Sequence, residues 1–248
     1  MLGRHAWRAC GPKLGTGLRI RLSPLALRPP HSFSSVAHGA EKNGKKGLRV
    51  VLDIDECLVH TVFDDEIGET SHLRQDEERP DQIKAVEQIG ITMADGATAL
   101  VNKRPGLDTF LKNVFSEFET YTFTAAAEIY AKPLLDVLDA EDQLTGRFYR
   151  QHCTNQLGMY LKDISLVSGD DLSRTVLVDN NPISFLLQPD NGIPVDPFYD
   201  CHEDRKLEEV LEVLRYLDAE EGDVRPHLKR MFGLRRSLDP LARKILLR

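Results

Sequence analysis

Long apolar runs are missing from this chain. None of its 248 residues fall in a stretch approaching the eighteen or so apolar positions that a membrane span needs, so a soluble body is expected. Cysteine is scarce. Cys10, Cys57, Cys153 and Cys201 have neither the paired spacing of a metal site nor the density of a disulfide framework. Small buried thiols in a reducing compartment are the expectation. Acidic residues are absent before Glu41, and there is no internal repeat or low-complexity segment. Six of the 32 Lys and Arg residues precede Glu41, which leaves 26 against 39 Asp and Glu in the rest. A body this acidic argues against nucleic-acid binding through a broad electrostatic patch. With 41% hydrophobic residues, the chain suffices for one domain with a full core plus flanking segments.

Residues 1–40 carry arginine and no acid and are rich in Ser, Ala, Leu, Gly and Pro. That composition fits an organellar transit peptide better than a secretory signal, because no uninterrupted apolar segment of sufficient length is present. His31-Ser32-Phe33-Ser34-Ser35 is similar to mitochondrial processing sites. Import machinery is therefore an expected partner and the mitochondrion the expected address, with nucleus or cytoplasm as the alternative. Residues 41–47 read as a polar linker.

The body is organised around Val50 to His60. Leu48, Val50, Val51 and Leu52 suit a strand buried on both faces of a parallel sheet, which delivers Asp53 and Asp55 to its carboxyl edge. Two carboxylates two residues apart can divide labour: the first attacks in line and the second gives or takes a proton. Like charges this close imply a divalent cation.

Residues 63–80 read as a solvated acidic excursion. Gln82 to Met93 alternates, Ala94-Asp95-Gly96 turns the chain, and Ala97 to Asn102 returns, as in a β-hairpin. Arg104-Pro105-Gly106 breaks that strand. Leu107, Phe110, Leu111, Val114 and Phe115 recur at helical spacing, and Glu119 to Phe123 reads as a strand ending at Thr124. A helix is expected over Glu128 to Ala140, and an irregular β-rich stretch over Phe148 to Leu161. Thr175 to Val178 reads as a buried strand ending at Asp179-Asn180, and Arg205 to Leu217 as an amphipathic helix. Residues 219–248 form a basic tail that docks on the acidic body or hangs as a loosely held helix.

Five blocks in order then carry a specific likeness: Asp53-Ile-Asp55-Glu56-Cys57-Leu58-Val59-His60, Lys103-Arg104-Pro105-Gly106, Phe123-Thr124-Ala125, Tyr160-Leu161-Lys162-Asp163 and Val178-Asp179-Asn180-Asn181-Pro182. Over residues 48–218 the chain resembles the haloacid dehalogenase superfamily, in the branch of RNA polymerase II carboxy-terminal-domain phosphatases. The resemblance implies an α/β, Rossmann-like fold with a central parallel sheet and a small antiparallel β insert, about residues 63–102, over the active site. It implies a Mg²⁺-dependent phosphoserine/phosphothreonine phosphatase acting on a phosphoprotein through an aspartyl-phosphate. Asp53 matches the nucleophile, Asp55 the general acid, and Thr124 and Lys162 the groups that hold the phosphoryl oxygens. Asp53, Asp55 through its carbonyl, Asp179 and Asn180 match the Mg²⁺ ligands. Phe63, Val86, Tyr130 and Arg150 match substrate-binding positions, and His60 a structural one. The chain departs from the pattern at Cys57, where Thr is usual, at Ala126, where Ser is usual, and at Gln88 and Ala127, where larger apolar residues are usual. The same domain resembles the presequence receptor of the mitochondrial inner-membrane translocase, which gives a non-catalytic binding module as the alternative.

Overall fold

The structure, a computed structural model, describes residues 47–63 and 86–246. The expected transit peptide, most of the linker, the acidic excursion and the start of the hairpin's first arm, with Ile83 and Ala85, lie outside the described residues.

The apolar run forms β1 (Arg49–Leu52), with Val50, Val51 and Leu52 fully buried. Strand β2 (Val59–Phe63) comes next, then β3 (Gln88–Thr92) and β4 (Thr98–Lys103), closed by Met93 and Ala97 across a turn at Gly96. These three make an antiparallel sheet in the order β2-β4-β3. Helix α1 (Leu107–Glu117) starts after Gly106, whose φ of 80° is a turn that glycine adopts without penalty. Next come β5 (Glu119–Phe123) and α2 (Glu128–Leu138). Helix α2 stops two residues before the expected end because Asp139 turns the chain, accepting hydrogen bonds from the Gln143 and Leu144 N–H groups.

The irregular stretch resolves into β6 (Gly146–Phe148), β7 (Thr154–Gln156) and β8 (Met159–Leu161). The short α3 (Ser165–Ser168), β9 (Thr175–Asp179) and β10 (Gly192–Pro194) complete the central region. The main sheet has the order β10-β9-β1-β5-β6 and is parallel throughout, as expected, with β1 between β5 and β9.

Alternation along β1 and β9 sends Val50, Leu52, Val176 and Val178 to one core. That core is completed by α1, α2, α4 (Lys206–Ala219) and the antiparallel insert. Val51 and Leu177 face the other side and meet Phe185, Leu234, Leu238 and Ile245. A parallel sheet must be covered on both faces. The C-terminal segment supplies part of that second cover: α6 (Leu234–Leu246) buries Leu234, Leu238 and Ile245 there, while α5 (Arg225–Met231) buries Leu228 in the first core. The basic residues of α6 stay on its exposed side, so this segment is packed rather than trailing.

Candidate active site

The Asp53 N–H donates to the Val178 carbonyl (2.9 Å), which carries the β1–β9 pairing one residue past Leu52 and plants Asp53 at the carboxyl edge of the sheet. Three residues on, Glu56 adopts φ 54°, a left-handed conformation few non-glycine residues take. Its N–H donates to Val59 O (2.7 Å), and the Leu58 N–H donates to Ile54 O (2.9 Å). This tight turn holds Asp55 beside Asp53. Arg104, 1% exposed, locks the turn from behind: it donates to the Cys57 carbonyl (2.8 Å), the Asp196 carbonyl (2.9 Å) and both oxygens of Asp204 (2.8 Å each). Cys57 fits without the usual hydroxyl because its buried thiol donates weakly to Val178 O at 3.9 Å.

Lys162 lies just past β8 and is 1% exposed. Its ammonium donates to Asp53 Oδ1 (2.5 Å) and Asp179 Oδ2 (2.6 Å). Burial works against its charge, but the two carboxylates outweigh it and leave the ammonium held more firmly protonated than an ordinary lysine. Burial, then Asp179, pushes the Asp53 carboxyl well up, with Lys162 pulling only part of the way back. Asp55 is raised too, mainly by burial, against a hydrogen bond from Tyr130. One ammonium among three carboxylates leaves a deficit of positive charge.

The oxygen atoms around this deficit are placed as follows. Asp179 is already committed, Oδ2 to Lys162 and Oδ1 to the Asn181 N–H (2.7 Å). The end of the Asn180 side-chain amide stands 3.0 Å from Asp53 Oδ2 and 3.2 Å from the Asp55 carbonyl oxygen. Turned over, the amide donates to both and satisfies the cation-free site. An octahedral Mg²⁺ with oxygens at 2.0–2.1 Å sets neighbouring ligands about 2.9 Å apart, so the unturned arrangement fits it. Among the described residues no three His, Cys, Asp or Glu side chains form a metal cage.

Thr124 ends β5. Its hydroxyl accepts from the Ala126 N–H (2.9 Å) and donates to Asp55 Oδ2 (3.3 Å). Ala126 thus contributes through its backbone, whatever its side chain. Tyr130, on α2, donates to Asp55 Oδ1 (2.5 Å) and meets the Thr61 hydroxyl on β2 (2.5 Å), so the insert borders the site. Arg150 donates to the Ala125 carbonyl (2.7 Å) and stacks on Tyr160, 5.2 Å from the ring centre; it props the Thr124 loop from the exposed rim. His60 is structural, against Glu56 (3.3 Å) and edge-on to Tyr199.

Two further positions were expected to bind substrate, Val86 and Phe63. Val86 lines a cavity of about 340 Å³ with Lys103, Arg104, Asp108 and His202. Glu87 O accepts from the Lys103 N–H and Gln88 bonds Asn102, whose amide reaches Tyr199 O, so this end of β3 faces the 199–202 loop. Phe63 closes β2, and its side chain lies outside the described residues. Thr61, Arg104 and Asp204 were given no role: Arg104 appeared only within the Lys103-Arg104-Pro105-Gly106 block, and its partner lies a hundred residues away.

The site thus lies at the carboxyl ends of β1, β5 and β9, with a buried carboxylate, a second carboxyl raised in pKa, a hydroxyl and a fixed ammonium. That set is suited to in-line displacement at phosphorus. Residues 48–225 match the family of NLI interacting factor-like phosphatases, and the chain belongs to that family. It is 39% identical over 169 residues to a probable C-terminal domain small phosphatase of Dictyostelium discoideum, covering 68% of this chain and 50% of that one. It is 37% identical over 202 residues to CTD nuclear envelope phosphatase 1B of Danio rerio, covering 80% and 78%. The chain spans half of the first of these relatives and a third of others such as CTD small phosphatase-like protein 2 of Dictyostelium discoideum. The solved structure of Fcp1, an essential RNA polymerase II CTD phosphatase, superposes with a TM-score of 0.58 at 15% identity, over 74% of this chain and 70% of that one. The fold is therefore of the haloacid dehalogenase type. Among the described residues no helix is long and apolar enough to cross a membrane.

Proposed function

We propose that the chain is a Mg²⁺-dependent phosphoserine/phosphothreonine protein phosphatase working through an aspartyl-phosphate on Asp53. The observation that carries this is the buried Lys162 bridging Asp53 and Asp179, with the Asn180 amide beside Asp53 Oδ2 and the Asp55 carbonyl. In the first half-reaction an Asp53 oxygen attacks phosphorus, the P–O bond to the serine breaks, and the electron pair goes to the seryl oxygen, which takes the proton of Asp55. In the second, Asp55, now a carboxylate, takes a proton from water as its oxygen attacks phosphorus, and Asp53 departs as carboxylate with release of phosphate. Thr124 donates to a phosphoryl oxygen, and Lys162 orients Asp53 and balances its charge. Asp53, the Asp55 carbonyl and Asn180 would hold Mg²⁺, with Asp179 acting through Lys162; the ion supplies neutralisation of the phosphoryl charge.

The family and the names of the relatives favour a phosphoprotein substrate. A pure binding surface gives no reason to bury a lysine between two carboxylates. Hydrolysis of p-nitrophenyl phosphate and of phosphoserine peptides, with Mg²⁺ and with chelator, tests the proposal. Turnover only with Mg²⁺ is expected, and none under either condition overturns it. On location, the acid-free, arginine-bearing residues 1–40 favour the mitochondrion, and the nuclear envelope relatives favour the nucleus. We retain the mitochondrial reading. A fluorescent protein carrying residues 1–40 should reach mitochondria, and a diffuse signal removes that address.

A further inference from the structure

Asp55 has two carboxyl oxygens, and their surroundings differ. Oδ1 lies 2.5 Å from the Tyr130 hydroxyl, and Oδ2 lies 3.3 Å from Thr124 Oγ1. Tyr130 has one hydroxyl proton to give. Its oxygen also lies 2.5 Å from Thr61 Oγ1. Between two hydroxyls one must donate and the other accept. With Thr61 donating to Tyr130, the Tyr130 proton goes to Asp55 Oδ1, and the two hydrogen bonds run in one direction.

We infer that Thr61 and Tyr130 form a positioning relay, running from the insert through α2, that occupies Asp55 Oδ1 and so keeps the transferable proton on Oδ2, the oxygen beside Thr124. The relay rests on the proposed phosphatase reading and extends it. A carboxylic acid whose Oδ1 accepts a short hydrogen bond carries its proton on the other oxygen. Oδ2 is also the oxygen next to the hydroxyl that contacts the phosphoryl group in that reading. Thr124 is compatible with this: its oxygen already accepts from the Ala126 N–H (2.9 Å), and when Oδ2 is protonated its own proton turns to the phosphate. The chemical step is unchanged. The P–O bond to serine breaks, its electron pair goes to the seryl oxygen, and the Oδ2 proton is transferred there too.

Such a device matters only when the leaving group needs a proton. A seryl alkoxide does, whereas p-nitrophenolate departs as a stable anion. The parameter to compare is kcat/KM, which ends at the first irreversible step and so covers leaving-group departure. Wild type, Tyr130→Phe, Thr61→Val and Thr61→Ser are assayed with Mg²⁺ on a phosphoserine peptide and on p-nitrophenyl phosphate, with thermal melts confirming folding. Tyr130→Phe keeps the ring and removes the donor. The peptide-to-aryl ratio of kcat/KM should fall about tenfold, part of what general acid catalysis supplies. Thr61→Val should lower the same ratio by less, and Thr61→Ser should restore it. Equal losses on both substrates, or no change in the ratio, would overturn the relay. A rise in the ratio would also overturn it, because it would mean Tyr130 had been holding the proton on Oδ1, away from the substrate. Wild type inactive on both substrates would instead reject the phosphatase reading itself.

Discussion

Replacing Arg104 by alanine should destabilise the whole domain. The guanidinium is 1% exposed and carries four hydrogen bonds of 2.8–2.9 Å: two to Asp204 and one each to the Cys57 and Asp196 carbonyls. It also lies 5.5 Å from the Phe198 ring centre. Truncation leaves the Asp204 carboxylate, 13% exposed, without its bidentate partner, and two carbonyls without a donor. Breaking a buried ion pair from one side costs about 3–5 kcal/mol, most of it the penalty of the charge left behind. For a domain of this size that is a fall in Tm on the order of 10 °C. Urea unfolding of wild type, Arg104→Ala, Asp204→Asn and the double variant completes a cycle. The account expects strong coupling, so that the double variant costs much less than the singles added. A single-variant cost below about 1 kcal/mol, or additive losses, would refute the idea that this clamp holds the catalytic turn.

Asp53→Asn should remove turnover by several orders of magnitude while raising the melting temperature, because it removes one of two buried carboxylates sharing Lys162; residual activity within about threefold of wild type would reject the nucleophile. Leu238→Ala should cost about 2–5 kcal/mol in urea unfolding, because Leu238 is 1% exposed under the sheet; a loss near zero would separate α6 from the core. Burial raises the Asp163 carboxyl, but hydrogen bonds from Ser165 and Gln188 leave it below its usual value. A carboxylate depressed by folding stabilises above its unfolded pKa and loses that stabilisation as pH falls through the folded one. Asp163→Asn should therefore be less stable than wild type at pH 7, by about 1 kcal/mol, and nearly equal to it in strong acid. A gap in Tm that persists at low pH would contradict the assignment.

Much of the site was legible because its strands write themselves clearly. A run buried on both faces, such as Val50 to Leu52, has few other readings, and the acidic pair just beyond it, Asp53 and Asp55, must sit at the sheet edge. Thr124 and Asp179 obey the same logic; the sites of Lys162 and Asn180 came through the family likeness. Val86 also came through the family likeness, and spacing alone could not have placed it in the cavity it lines with Lys103 and Arg104. The C-terminal helices were harder. Leu234, Leu238 and Ile245 repeat at helical intervals among arginines, but their burial arises from a need elsewhere, the second face of the sheet. Arg104 and Thr61 illustrate a different limit. Their roles depend on Asp204 and Tyr130, and no spacing rule connects residues so far apart in the chain.

The central claim is that Asp53 becomes phosphorylated during turnover. Acid-quenching a reaction of Mg²⁺-loaded enzyme with a phosphoserine peptide, and then peptide mass spectrometry, reads this directly. The account predicts an acid-stable, hydroxylamine-labile phosphoryl group on the peptide containing Asp53, absent without Mg²⁺ and absent from Asp53→Asn. Phosphate release with no phosphoryl group on that peptide at any quench time, together with an active Asp53→Asn variant, would contradict it.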